Sequence, residues 1–231
     1  MTPELLAEVM EATWPPAGRE SLGPFMLRDG AGGGKRVSAA SLDGPITEAD
    51  FDALEARMAE PLMLVRAGEE ALDAALDARG WRIVDPVVVY AAPVAQLTAE
   101  LPRLTAFPHW PPLEIARAIW AEDGIGPARI AVMDRVTGPK AALLGRIDDR
   151  SAGVAFVACH GREAMLHALE VRESHRRQGL GRRLLQATAN WAATQGAHRL
   201  SLVVTRQNTA ARALYARLGM EVVGNYHYRM K

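Results

Sequence analysis

The chain has a single cysteine in 231 residues, Cys159. An intramolecular disulfide and a multi-cysteine zinc site are thereby excluded, and the usage fits a reducing compartment. Excess charge of either sign is also lacking, because 27 Lys and Arg are balanced by 27 Asp and Glu. A field-driven binder of nucleic acid or anionic membrane is disfavoured, so any basic cluster must act locally. Nowhere do aromatic and basic residues interleave as an RNA-binding surface requires. No segment approaches the ~20 uncharged residues of a membrane span. The opening MTPELLAEVMEATW has neither a basic n-region nor a long apolar h-region. His160, beside Cys159, has no third ligand at metal spacing. The expectation is a cytoplasmic protein with no metal, no nucleic-acid partner and no membrane partner.

Two nucleotide fingerprints fail as well. Gly179-x-Gly181-x-x is followed by Leu184, which breaks a dinucleotide pattern, and no Lys follows these glycines as a P-loop requires. In DGAGGGKRVS, Asp29 stands where the first P-loop Gly belongs and Arg36 where the Ser or Thr belongs; that stretch reads as a flexible loop. What is present is HALEVRESHRRQGLGRRLLQATANWA, His167 to Ala192: a strand pattern, two close glycines, then a helix. Arg176, Arg177, Arg182 and Arg183 crowd the start of that helix, where cations are normally unfavourable by roughly 0.3–1 kcal/mol each. An anion on the exposed amides reverses the sign of that effect, and Gly179 and Gly181 let the backbone approach it.

R-x-x-G-x-G between a strand and a helix, Arg176 to Gly181, resembles the acetyl-CoA pyrophosphate loop of the GNAT superfamily of N-acetyltransferases. Downstream, NTAARALYARLGM, Asn208 to Met220, resembles that family's N-x-x-A-x-x-L-Y-x-x-x-G-F segment, with Met220 where Phe is usual. The resemblance implies an α+β fold, a central mixed, mostly antiparallel sheet flanked by helices and splayed between its fourth and fifth core strands. It further implies that Leu169 and Val171 meet the pantetheine arm of acetyl-CoA, and that Arg176, Arg177, Gln178, Gly179, Leu180, Gly181 and Arg182 wrap the diphosphate. Asn208 joins the cofactor set, and Tyr215 protonates the departing thiolate. Asn208 also suits a helix N-cap, and Tyr215 a core tyrosine beside Leu214 and Leu218. The partners implied are acetyl-CoA and an amine acceptor, a small molecule or a protein amine.

Related enzymes that acetylate a ribosomal-protein N-terminus carry a Glu on the fifth strand where this chain has Val203. The replacement base is Glu170, His227 or a water chain. Absence of an obvious base keeps a non-catalytic acyl-CoA-binding regulatory module open as the alternative.

The proline-dense LTAELPRLTAFPHWPP, 97 to 112, reads as a linker in which Trp110 pins the parts together. It divides the chain into residues 1–97, a linker 98–112 and a catalytic part 113–231. In the catalytic part Leu113 to Ala121 reads as a helix, and ARIAVMDRV, KAALLGRID, AGVAFVAC and EAMLHALEV as successive strands. Then follow a helix from about Gly179 to Gln195, the strand HRLSLVVT, a helix over NTAARALYARLG and final strands MEVVG and YHYRM. Aligning residues 62–90 with 201–229 without a gap places Val65 on Val204, Ala74 on Ala213, Gly80 on Gly219 and Val84 on Val223. Glu69 falls opposite Asn208 and Leu76 opposite Tyr215, so the first part resembles a smaller, degenerate GNAT-like domain.

Overall fold

The computed structural model describes residues 1–231. In chain order the elements are α1 (Pro3–Thr13), β1 (Gly18–Leu22), β2 (Phe25–Asp29), α2 (Lys35–Ser38), β3 (Ser41–Leu42), α3 (Glu48–Arg57), β4 (Leu62–Arg66), α4 (Glu70–Ala78), β5 (Arg82–Pro93), α5 (Val94–Leu97) and β6 (Ala106–His109). There follow α6 (Glu114–Glu122), α7 (Pro127–Arg135), β7 (Lys140–Ile147), β8 (Arg150–His160), β9 (Glu163–Val171), α8 (Leu180–Thr194), β10 (Arg199–Thr205), α9 (Thr209–Arg217) and β11 (Glu221–Met230). Eight strands form one sheet in the order β4-β11-β5-β10-β9-β8-β7-β6, and β1, β2 and β3 form a second, small sheet. The large sheet is antiparallel except at β9–β10. No helix is long and apolar enough to cross a membrane.

The proline-dense stretch is part of this sheet. Residues 106–109 pair with β7 as its edge strand, a position that tolerates Pro108 because one side of an edge strand needs no partner. Trp110 packs on Phe156, ring centroids 5.5 Å apart, and the Lys140 ammonium lies over its ring.

Where a strand was expected over 128–136, the chain forms α7. Pro127 occupies its first turn after Gly126, a helix-start signal, and Ile130 and Met133 recur on one buried face. The β-branched Ile130 and Val132 imitate strand alternation over too short a window to decide. The two final strands expected are one, β11, carrying register shifts against β5 between Val222 and Gly224 and between Tyr226 and Tyr228.

The repeat seen in the alignment corresponds to matching elements. The same offset carries β4 onto the end of β10, α4 onto α9 and the start of β5 onto the start of β11. The second strand of each repeated strand–helix–strand unit lies beside the first strand of the other: β5 runs between β10 and β11, and β11 between β5 and β4. The sheet therefore crosses the boundary drawn at 98–112.

Helix α8 covers the sheet with Leu180, Leu184, Leu185, Thr188 and Ala192, a stripe at helical spacing, while Trp191 packs at its margin. Its first turn sits low on the strands because Gly145 and Gly153 lack side chains. A Cβ on either would come within about 3.0 Å of the Leu180 and Leu184 methyls.

Arg229 on β11 clamps the exchanged strands. It is 5% exposed. Its Nε donates to Asp73 (2.8 Å), and its Nη1 donates to Asp77 and to the Trp81 carbonyl (2.6 Å each). Arg229→Met should lower unfolding free energy in urea by about 1–2 kcal/mol, since the arginine is buried but Asp73 and Asp77 keep 30% and 71% of their side-chain exposure and stay solvated without it. The Arg229 hydrogen bond holds the Asp73 carboxyl below its usual range. That contribution is present above about pH 4 and is lost as pH falls through the folded value. The variant should therefore show a flatter loss of stability on acidification.

Candidate functional site

Beyond Leu166 and Leu202 the sheet opens. β9 and β10 pair in parallel only from Glu163–Arg199 to Leu166–Leu202; beyond that β9 stays with β8 and β10 with β5. A register shift between Val154 and Phe156 marks a bulge in β9, where Ala168 takes a positive φ of 50° and the Trp120 indole donates to its carbonyl (2.8 Å). The Arg172 N–H bonds to Ala152 of β8, so by antiparallel alternation the main-chain groups of Val171 point away from β8, into the opening. A cavity of about 430 Å³ occupies the opening, and Leu169, Glu170, Val203, Asn208 and Tyr215 are among its lining residues.

The turn before α8 lies next to it. The N–H groups of Arg177, Gln178, Gly179, Leu180, Gly181 and Arg182 make no hydrogen bond to a protein acceptor. Gly179 is left-handed at φ 82°, the conformation that glycine adopts without strain. Arg177, Arg182 and Arg183 carry no ion pair, so nothing in the protein offsets cations at the positive end of a 15-residue helix. Arg176, expected among the cradle residues, is committed elsewhere. Its N–H bonds to Glu173, its Nε donates to the Val171 carbonyl (2.9 Å), and its Nη2 pairs with Asp123 (3.2 Å). It braces the turn against β9.

Glu170 is half-buried, and burial together with Asp123 raises its carboxyl to about 7; Arg176 and Arg129 oppose the shift. A carboxylate poised there is divided between acid and base near neutral pH. Burial pushes the Tyr215 phenol up to about 12, with the charge of Glu170 adding to it. The Tyr215 ring lies 5.6 Å from that of Tyr90, so the residue is packed and faces the cavity at once. Asn208 caps α9, its side chain accepting from the Ala211 N–H at 3.0 Å, and also borders the cavity. His227 stands apart from these residues. It is tied to Asp73 at 2.8 Å and does not line the cavity.

Sequence reasoning missed the opposite wall. Gly33, Gly34, Lys35 and Arg36 line the cavity, and Gly30, Gly33 and Val37 of the stretch read as a flexible loop are buried. A Cβ on Gly33 would stand 2.5 Å from a Val132 methyl and 2.9 Å from the Gly30 carbonyl. The glycines let the loop press on α7, and that contact aims α2 into the opening. Arg36 is held by the buried His167, whose Nδ1 lies 2.8 Å from Arg36 Nη1, and stands over the Trp14 ring. No local pattern relates residues 131 positions apart.

The sequence pattern of the acetyltransferase (GNAT) family matches residues 103–220. The chain belongs to this family. Membership makes it a transferase enzyme, and the resemblance read from the loop and the Tyr215 segment is to the same family. It is similar to the uncharacterized N-acetyltransferase YobR of Bacillus subtilis (strain 168), 25% identical over 239 residues that cover 95% of each chain. Its fold is similar to a GCN5-related N-acetyltransferase from Kribbella flavida, with a TM-score of 0.70 at 20% identity over 98% of this chain and 94% of that one. It is also similar to a tandem GNAT protein from the clavulanic acid biosynthesis pathway, TM-score 0.62, 16% identical, over 90% of this chain and 77% of that one.

The shift at Glu170 is directly measurable. Carbon-detected NMR of labelled glutamate should show one carboxyl titrating near 7. In Asp123→Asn its midpoint should move down toward the ordinary carboxylate range, since Asp123 disfavours the charged form. An unmoved midpoint would leave burial as the sole cause.

Proposed function

We propose that this GNAT enzyme moves the acetyl group of acetyl-CoA to a primary amine by direct attack on the thioester, with Glu170 as base and Tyr215 as acid. The carrying observation is the run of unpaired N–H groups from Arg177 to Arg182 beside a cavity that holds both side chains. A diphosphate on those donors offsets the helix-end penalty of Arg177, Arg182 and Arg183, and Gly179 and Gly181 give it room. Leu169 and the N–H of Val171, whose carbonyl is taken by Arg176, offer the free strand edge for the pantetheine arm, and Asn208 borders the same opening.

Glu170 accepts the proton that the attacking amine sheds as its nitrogen bonds to the carbonyl carbon. Tyr215, protonated at any physiological pH, gives its proton to the sulfur as the carbon–sulfur bond breaks. Val203 leaves the fifth core strand without a carboxylate, and Glu170 on the neighbouring strand supplies one across the same gap.

Two GNAT-like units make up the chain, a degenerate first one over residues 1–97 and the catalytic one over 113–231, and the 98–112 stretch between them contributes the edge strand β6 to the shared sheet. Supporting this are the coincident elements of the two halves and the likeness to a protein described as a tandem GNAT. In the first unit Leu76, opposite Tyr215, is fully buried, which suits scaffolding. A reducing cytoplasmic setting fits the single buried cysteine.

Gly181→Glu, whose new side chain must pass Leu214 at 3.3 Å, should abolish acetyl-CoA binding in calorimetry while the protein still melts cooperatively. Binding retained in that variant would remove the cradle. Tyr215→Phe should lower turnover by about 10–1,000-fold with cofactor affinity unchanged. Because the base must be ionised, kcat/KM should rise with pH through about 7. That limb should vanish in Glu170→Gln; if it survives, Glu170 is not the base.

A further inference from the structure

The wall opposite the catalytic pair carries charge with no assigned use. Arg36 makes one side-chain hydrogen bond, through Nη1 to His167, and no ion pair; its Nε and Nη2 have no acceptor in the protein. His167 is fully buried, and desolvation together with the Arg36 charge keeps it neutral. Its Nδ1 therefore accepts from Arg36, and its Nε2 faces Thr13 Oγ1 (3.0 Å), whose hydroxyl donates to the Val9 carbonyl (2.6 Å). The Trp14 ring stacks on His167, centroids 4.9 Å apart, beneath the guanidinium. Every partner of Arg36 is uncharged, so the protein fixes this cation without neutralising it.

A second guanidinium stands close by. Arg129 of α7 makes no ion pair, and a Cβ on Gly34 would lie 3.5 Å from its Nε. It is an exposed residue, so its charge is worth less than that of Arg36. The nearby pair Lys35–Asp85 is self-compensating. Facing these two arginines in the same cavity is Glu170, three residues beyond His167 on β9, a strand distance of roughly 10 Å before the bulge shortens it. A cation at one end and a proton acceptor at the other match a ligand with an acid at one end and an amine at the other. A volume of about 430 Å³ is that of a small-molecule site.

We propose that the acceptor is an amino acid, or a small amine of that kind, whose carboxylate is held by Arg36 with help from Arg129 while its amine faces Glu170. Guanidinium and carboxylate match in planar, two-point geometry, and Nε and Nη2 are the pair of donors left free for it. This rests on the acetyltransfer reading above, and names its acceptor class.

The experiment measures thiol release from acetyl-CoA with α-, β- and ω-amino acids, each beside its amide and its decarboxylated amine. The free acid should exceed both counterparts by about 10–100-fold in kcat/KM, the range of a charge-assisted pair. In Arg36→Gln the acid-to-amide ratio should collapse toward one, and in Arg129→Gln, an exposed position, it should fall partway. Equal rates for acids and amides, or a preference that survives both substitutions, would overturn the proposal. Calorimetry with acetyl-CoA alone separates the two levels: a protein that does not bind it fails the transfer reading itself. If no amine is turned over, binding of the same pairs to CoA-saturated protein decides, and lack of carboxylate-selective binding overturns the assignment. Should Arg36→Gln not fold, the acid–amide comparison in the unaltered protein still carries the test.

Discussion

A β-sheet that opens in its middle leaves two strands with main-chain groups that neither neighbour can satisfy, and the cost of burying such groups dry sets the terms for everything around them. Here β9 and β10 separate after Leu166 and Leu202 because each is held on its far side, β9 by β8 and β10 by β5. The bulge at Ala168 and the Trp120 indole on its carbonyl fix the departure of β9. The opening thus draws a ligand backbone, or solvent, into the place of the missing strand.

The electrostatics of the cavity follow from that opening. Glu170 is lifted toward neutrality because it lies on the freed stretch of β9, partly buried and next to Asp123, while Arg176 ties Asp123 and the Val171 carbonyl into one brace. Tyr215 reaches the same space from α9, anchored by Tyr90 of the inserted strand β5. The first half of the chain therefore supports Tyr215 through β5 and furnishes the cationic wall through α2.

Local signals in the sequence carried the loop, the helix behind it and the Tyr215 segment, since glycine spacing and helical stripes act over a dozen residues. The strand in place of α7 was a failure of the same kind of signal: over nine residues, Ile130, Val132 and Met133 satisfy both periods, and only Pro127 separates them. Arg176 illustrates a second limit. It stands in the loop pattern, yet its side-chain partner Asp123 lies 53 residues away, so no local pattern shows that contact. The Arg36–His167–Thr13 line was invisible for the same reason, and the glycines at 30–34 looked mobile when they are small in order to fit.

The exchange of terminal strands has a consequence for biosynthesis. β11, translated more than a hundred residues after β4 and β5, fills the gap between them. Until β11 emerges from the ribosome, those two strands expose facing edges with nothing between them, a long-range closure of the kind that slows folding and invites nascent chains to associate. A chain ending before β11 would thus lose the strand that joins β4 to the rest of the sheet and present quality control with an open seam.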